Sequence, residues 1–251
     1  MLQKEKIAQK LVLFTFLLLL SSSYCIDFDA LIKKLKSYLQ NNVDNDVFLD
    51  FMEVLRKGYK KSFPVHFAKN KKAFPNHSQT IKRNRGFIED QGNYGDMVYG
   101  LMSFSGNGCE LIAIYNALYE LTKQENINLP EIIDMHEKDG MVLQGLFGTS
   151  PKAIEEYFIK NGFKTQSSSK KVNYENIAKE SDVLILTIYN NIDDITDQVH
   201  TICITKKLGK YYVHNNGYNS SSVAYDSITD VLSKINGGRA KDIFLIGINK
   251  K

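Results

Sequence analysis

Cys109 follows the small, flexible residues Gly106, Asn107 and Gly108 and leads a run with Leu111, Ile112, Ile114, Tyr115, Leu118 and Leu121 at the spacing of a buried helix face. A cysteine is thereby placed at a helix N-terminus. Unpaired backbone N–H groups and the positive end of the helix dipole favour a thiolate there, which is the nucleophilic form of the side chain. The competing reading is a small buried hydrophobe, the usual fate of a free cysteine. A nucleophile needs a base, and His200 opens the strand pattern His200-Thr201-Ile202-Cys203-Ile204-Thr205. Alternation puts His200, Ile202 and Ile204 on one face, with Thr201, Cys203 and Thr205 on the other. Cys203 therefore points away from His200 and reads as packing. Asn215 and Asn216 end the returning strand Tyr211 to His214. An amide beside the imidazole would bind one ring nitrogen and leave the other for the thiol.

The elements that must position these groups are legible in outline. Pro130 opens a helix carrying Ile132, Ile133 and Met135 and followed by Gly140. Ser150-Pro151 starts another with Ile154, Tyr157 and Phe158 inward, stopped at Asn161-Gly162. From Val183 the period changes. Val183 to Tyr189 reads as a central strand, residues 200 to 205 and 211 to 214 as a hairpin, and Ile243 to Ile248 as a last strand after a short helix from Ile228. Helices first and an antiparallel sheet afterwards predict an α+β fold, with the Cys109 helix packed on the sheet.

Upstream, Lys4, Lys6 and Lys10 precede the apolar run Leu11 to Leu20 and a small polar stretch ending at Cys25. This is the pattern of a secretory signal peptide over residues 1–25, and it predicts an exported protein. Asp27 or Asp29 can cap one amphipathic helix with Leu31, Leu35, Tyr38 and Leu39. Asp46 can cap a second with Val47, Phe51, Val54 and Leu55, ended at Gly58. From Arg56 to Arg85 the chain carries ten Lys or Arg and no Asp or Glu, interrupted by Pro64 and Pro75. It reads as a solvated basic linker, open to trimming at Lys60-Lys61, Lys71-Lys72 and Lys82-Arg83, and able to touch an anionic envelope surface. Interspersed prolines and asparagines argue against a nucleic-acid face. The expected organisation is residues 26–85 as a helical segment plus linker serving as a propeptide or a hairpin, and residues 86–251 as the main domain.

With 251 residues, 43% of them hydrophobic, the chain is long enough to bury a core of its own. Three cysteines and five histidines, scattered, give neither a disulfide framework nor a zinc-ligand spacing.

The order of Cys at a helix head, His at a strand start, and Asn about sixteen positions on at the end of the next strand resembles the papain-like cysteine peptidases. Within them it is most similar to the bacteriocin-processing, double-glycine-leader type. The pieces that carry the likeness are Gly106 to Leu118, Gly148 to Phe163, and Val199 to Asn216. The resemblance implies Cys109 as nucleophile, His200 as general base and then acid, and Asn215 or Asn216 as the orienting third member, acting on a peptide or protein substrate without metal or organic cofactor. Leader peptidases of that type carry Asp where this chain has Asn. The family's oxyanion-hole Gln lies six positions before the nucleophile, where this chain has Ser103, so Asn107 or the Cys109 backbone N–H would have to serve. Two further readings use the same residues: a cell-wall endopeptidase or amidase of the NlpC or CHAP type, and an inactive binding protein on the same scaffold. Rapid alkylation of Cys109 near neutral pH separates an enzyme from the last.

Overall fold

The structure is a computed structural model that describes residues 44–58, 63–190, 199–216 and 220–250. The signal-peptide pattern, Cys25 and the first expected helix lie outside the described residues.

Val183 to Tyr189 is buried at every position, so both faces of this strand are covered. It is β4 of a five-stranded antiparallel sheet ordered β3-β7-β4-β5-β6, with β3 Lys164–Ser168, β5 Val199–Lys207, β6 Lys210–His214 and β7 Lys241–Asn249. A small separate ladder pairs β1 Val98–Tyr99 with β2 Met102–Ser103. The β5–β6 hairpin turns at Leu208 and Gly209, both at positive φ (52° and 74°), the geometry whose twist matches the flanking strands.

Alternation along β4 splits the core in two. Val183, Ile185 and Tyr189 join one cluster with Cys203 of β5 and with the buried face of α4, Cys109–Thr122. Leu184, Leu186 and Ile188 join the other with Ile202 and Ile204 of β5, under α7 Tyr174–Glu180 and α8 Ile228–Lys234. The α+β class holds, and the sheet carries helices on both faces. On the α4 side also lie α1 Asn45–Gly58, α2 Pro64–Ala73, α3 Ser78–Arg83, α5 Leu129–Asp139 and α6 Pro151–Lys160, each contributing to that cluster or packed against it.

The segment before residue 86 packs on the core and covers the head of α4, as either a propeptide or a docked helix would, and several expectations within it need correction. Phe48, Leu49, Phe51, Met52 and Leu55 of α1 are core residues, while Val54, placed on the expected stripe, is exposed. Arg56, read as part of a solvated charge run, is buried in a cluster of ion pairs with Glu53 (3.2 Å), Glu156 (2.7 Å) and Asp139 (3.4 Å). Nor is the basic stretch an irregular linker. Proline begins α2 and the following 3-10 turn Phe74–His77, where its missing N–H costs nothing. Asn70 of α2, fully buried, holds the backbone of Val98 through two hydrogen bonds of 2.9 Å. Met135, expected inside α5, is exposed.

Candidate functional site

Cys109 is the first residue of α4, as its spacing predicts, with Gly108 at the cap. The loop before it makes a single helical turn over Phe104–Asn107, and the Thr201 N–H of β5 points at the sulfur. These features favour a thiolate. Two others oppose it. The side chain is buried, and its S–H donates to Glu110 Oε2 at 3.3 Å. Glu110 folds back because Gly148, at φ 66°, leaves room: a Cβ there would stand 2.3 Å from Glu110 Oε1. Burial, then the carboxylate, push the thiol well above the ordinary cysteine range, against the Thr201 N–H. The helix-end expectation of a thiolate is thus reversed.

The space over the sulfur is small. A cavity of about 20 Å³ is walled by Phe48 and Met52 of α1, Phe147, Val199 and Cys109 itself, room for one water at most. The N-terminal helix is a lid on this thiol.

His200 is half-buried and pairs with Ile188 of β4, whose side chain lies in the α7–α8 cluster. Alternation along β5 holds as read from the sequence, with one consequence that reading did not contain: α4 packs on the Cys203 face. At its register position the His200 side chain is on the strand face opposite Cys203, while the next N–H along the chain, that of Thr201, meets the Cys109 sulfur; among the described residues no hydrogen bond joins His200 to Cys109. His200 Nε2 lies 2.6 Å from the Asn215 carbonyl. A carbonyl only accepts, so Nε2 carries the proton. Burial lowers the imidazole's pKa and the Asn215 carbonyl partly restores it.

Asn215 does meet His200, through its main chain. Its φ of 61° turns the side chain to Gln91, where Oδ1 accepts the Gln91 N–H (3.0 Å) and Nδ2 donates to Gln91 Oε1 (3.3 Å). Asn216 Nδ2 donates to Asn236 Oδ1 at 3.1 Å, at the same end of the sheet. The expected side-chain oxyanion donors are committed elsewhere: Asn107 Nδ2 donates to the Gly145 carbonyl (2.5 Å), and the Ser103 hydroxyl pairs with that of Ser105 (2.7 Å) on the surface, which leaves the Cys109 backbone N–H of the expected set.

Sequence reasoning missed two residues here. Gln91 donates to the Ser105 carbonyl at 2.8 Å, so a polar chain runs from His200 through Asn215 and Gln91 to the loop ahead of Cys109. No motif flags a Gln eighteen residues upstream in a turn capped by Asp90. His214 is held between Glu89 Oε1 (2.8 Å) and Thr205 Oγ1 (2.9 Å), with Phe87 stacked on it at 4.0 Å. Its neighbour Cys203 is fully buried, the packing role expected of it. Among the described residues, no group of three or more His, Cys, Asp or Glu is placed to hold a metal, and no helix is long and apolar enough to cross a membrane. Comparison with protein-family models, with curated proteins and with solved structures finds no match to this chain.

Proposed function

We propose that the chain is a non-catalytic binding protein on a scaffold resembling the papain-like cysteine peptidases, exported by its N-terminal signal. The observation that carries this reading is that Cys109 and His200 are each hydrogen-bonded elsewhere, the thiol to Glu110 and Nε2 to the Asn215 carbonyl, with no hydrogen bond between them among the described residues. A general base must come within hydrogen-bond reach, about 2.6–3.2 Å, of the proton it takes. Here that proton faces a carboxylate, under a lid of apolar side chains. The scaffold likeness lies in the chain order: a cysteine-headed helix, then an antiparallel sheet that the helix packs against.

Alkylation of the folded protein by iodoacetamide at pH 7.5, followed by mass spectrometry, tests it. The expected result is that Cys109 reacts far more slowly than in the unfolded chain, with no fast phase. A rapid Cys109 phase, slowed in His200→Ala, together with peptide turnover lost in Cys109→Ala, would overturn the reading in favour of a cysteine peptidase.

One observation favours that second reading. The Thr201 N–H aimed at a sulfur on the helix head is an arrangement that stabilises negative charge. Under it, once α1 leaves, the His200 imidazole takes the Cys109 proton, the thiolate attacks a peptide carbonyl, the imidazolium protonates the leaving amine, and water hydrolyses the thioester to free the thiol. Exposed cations such as Lys71, Lys82 and Arg83 suit an anionic envelope surface, and peptidoglycan zymography distinguishes a cell-wall substrate from a protein one.

A further inference from the structure

Away from Cys109, on the outer side of α4, a cavity of about 400 Å³ opens between that helix and α3. Three aromatic rings line it. Phe74 meets Tyr115 edge-on, with centroids 6.2 Å apart at 73°, and Ile81 lies beside them, only 8% exposed. Tyr119 completes the wall, pressed against Gly86 so closely that a Cβ there would fall 2.0 Å from its ring. Gly86 has φ 93°, so the backbone is fixed in a form that suits only glycine, and the ring is fixed with it.

Two polar features point to what such a wall receives. Tyr115 is 2% exposed, yet its hydroxyl makes no hydrogen bond among the described residues. Tyr115 is among the residues that line the cavity. Burial, then Tyr119, raise its pKa to about 12, which keeps it a donor at neutral pH. At the mouth, Lys82 and Arg85 are exposed and form no ion pair among the described residues; the opposing charge on the rim is Glu125. Size, apolar walls and a few convergent polar groups are the attributes of a small-molecule site, which usually measures about 300–1,000 Å³.

We propose that the cavity between α3 and α4 binds an aromatic carboxylate, its ring against Phe74, Ile81 and Tyr115 and its carboxylate facing Lys82 and Arg85. Aromatic walls favour a flat ring over a flexible chain because edge-to-face contacts have a preferred geometry. Two cations against one carboxylate set the sign of the ligand. This site shares no residue with the Cys109 pocket, so it stands whether or not that thiol reacts.

Calorimetric titration of the full chain with 1-naphthoate, and with the neutral analogue 1-naphthalenemethanol, tests the proposal. Saturable naphthoate binding at least tenfold tighter than that of the alcohol is expected. Lys82→Gln combined with Arg85→Gln, both surface changes, should erase the preference while leaving the alcohol's affinity unchanged, and Ile81→Trp should block both probes by filling the wall. Absence of saturable binding by either probe would overturn the site. A preference for naphthoate that survives in the Lys82→Gln, Arg85→Gln chain would overturn the role of the two cations.

Discussion

A helix N-terminus supplies about half a positive charge, worth roughly 0.3–1 kcal/mol to a nearby anion at an exposed position. At Cys109 that contribution meets a full negative charge on Glu110, one residue away and 3.3 Å from the sulfur, in a space with no bulk solvent. Burial and then the neighbouring carboxyl outweigh the helix end, because loss of solvent penalises the thiolate more than a distributed dipole stabilises it. Replacing the carboxyl isolates its effect. Glu110→Gln should lower the Cys109 pKa, so alkylation at pH 8 becomes faster. A pH–rate profile of Cys109 modification checks this, and an unchanged profile would assign the whole shift to burial. The sequence places Cys109 at the helix head correctly and misjudges its chemistry, because the effect of a neighbouring Glu depends on whether the chain folds it back. Gly148, nearly forty residues on, decides that. The partners of His200 were hidden for a related reason. Alternation along a strand is visible in the sequence, but which face receives the helix is set by long-range packing.

Among the elements, α1 carries the greatest consequence. Spacing alone finds the helix and its Val47, Phe51 and Leu55, but puts Val54 on the stripe in place of Phe48 and Met52, and nothing local says that the helix docks over a thiol. Truncating Phe48, which is 1% exposed and whose ring lies 5.9 Å from that of Tyr189, should destabilise the fold by about 3–5 kcal/mol. In the folded Phe48→Ala chain, Cys109 should become more accessible to alkylation while Cys203 stays protected. Urea titration with site-resolved mass spectrometry reads both effects. The helices α2 and α3 were illegible for the opposite reason. Their charge run dominates the pattern, whereas what seats them is sparse: Ile81 and Ala73 in the core, Asn70 on the Val98 backbone, and His66 against Glu137 at 2.6 Å. Polar docking of this kind leaves no periodicity to read.

For the whole molecule, the sheet covered on both faces was half visible. The unbroken apolar run of β4 signals burial on two sides, while the helix α7 and the edge strand β3, with its sequence Lys-Thr-Gln-Ser-Ser, give weak local signals. Closing the core also confines His136 of α5, 3% exposed, where Nδ1–H donates to the Ile132 carbonyl at 2.8 Å and burial lowers the pKa to about 4. An unfolded histidine titrates near 6.5. As pH falls from about 6.5 to about 4 the unfolded chain takes up a proton that the folded chain refuses, so stability present above that window declines across it, by up to about 3 kcal/mol. Chemical denaturation of the wild type and of His136→Gln between pH 7 and pH 4 should show the wild type falling more steeply by about that amount. Parallel curves would mean that His136 is charged inside the fold.

The two described thiols share one further fate. Cys109 lies beneath α1 and Cys203 in the middle of the covered sheet, both unpaired and both held as neutral S–H groups. Peroxides attack thiolates that they can reach, and neither sulfur offers that. Oxidative ageing of these residues therefore has to wait for local opening, and its pace is set by how often the lid helix and the sheet come apart.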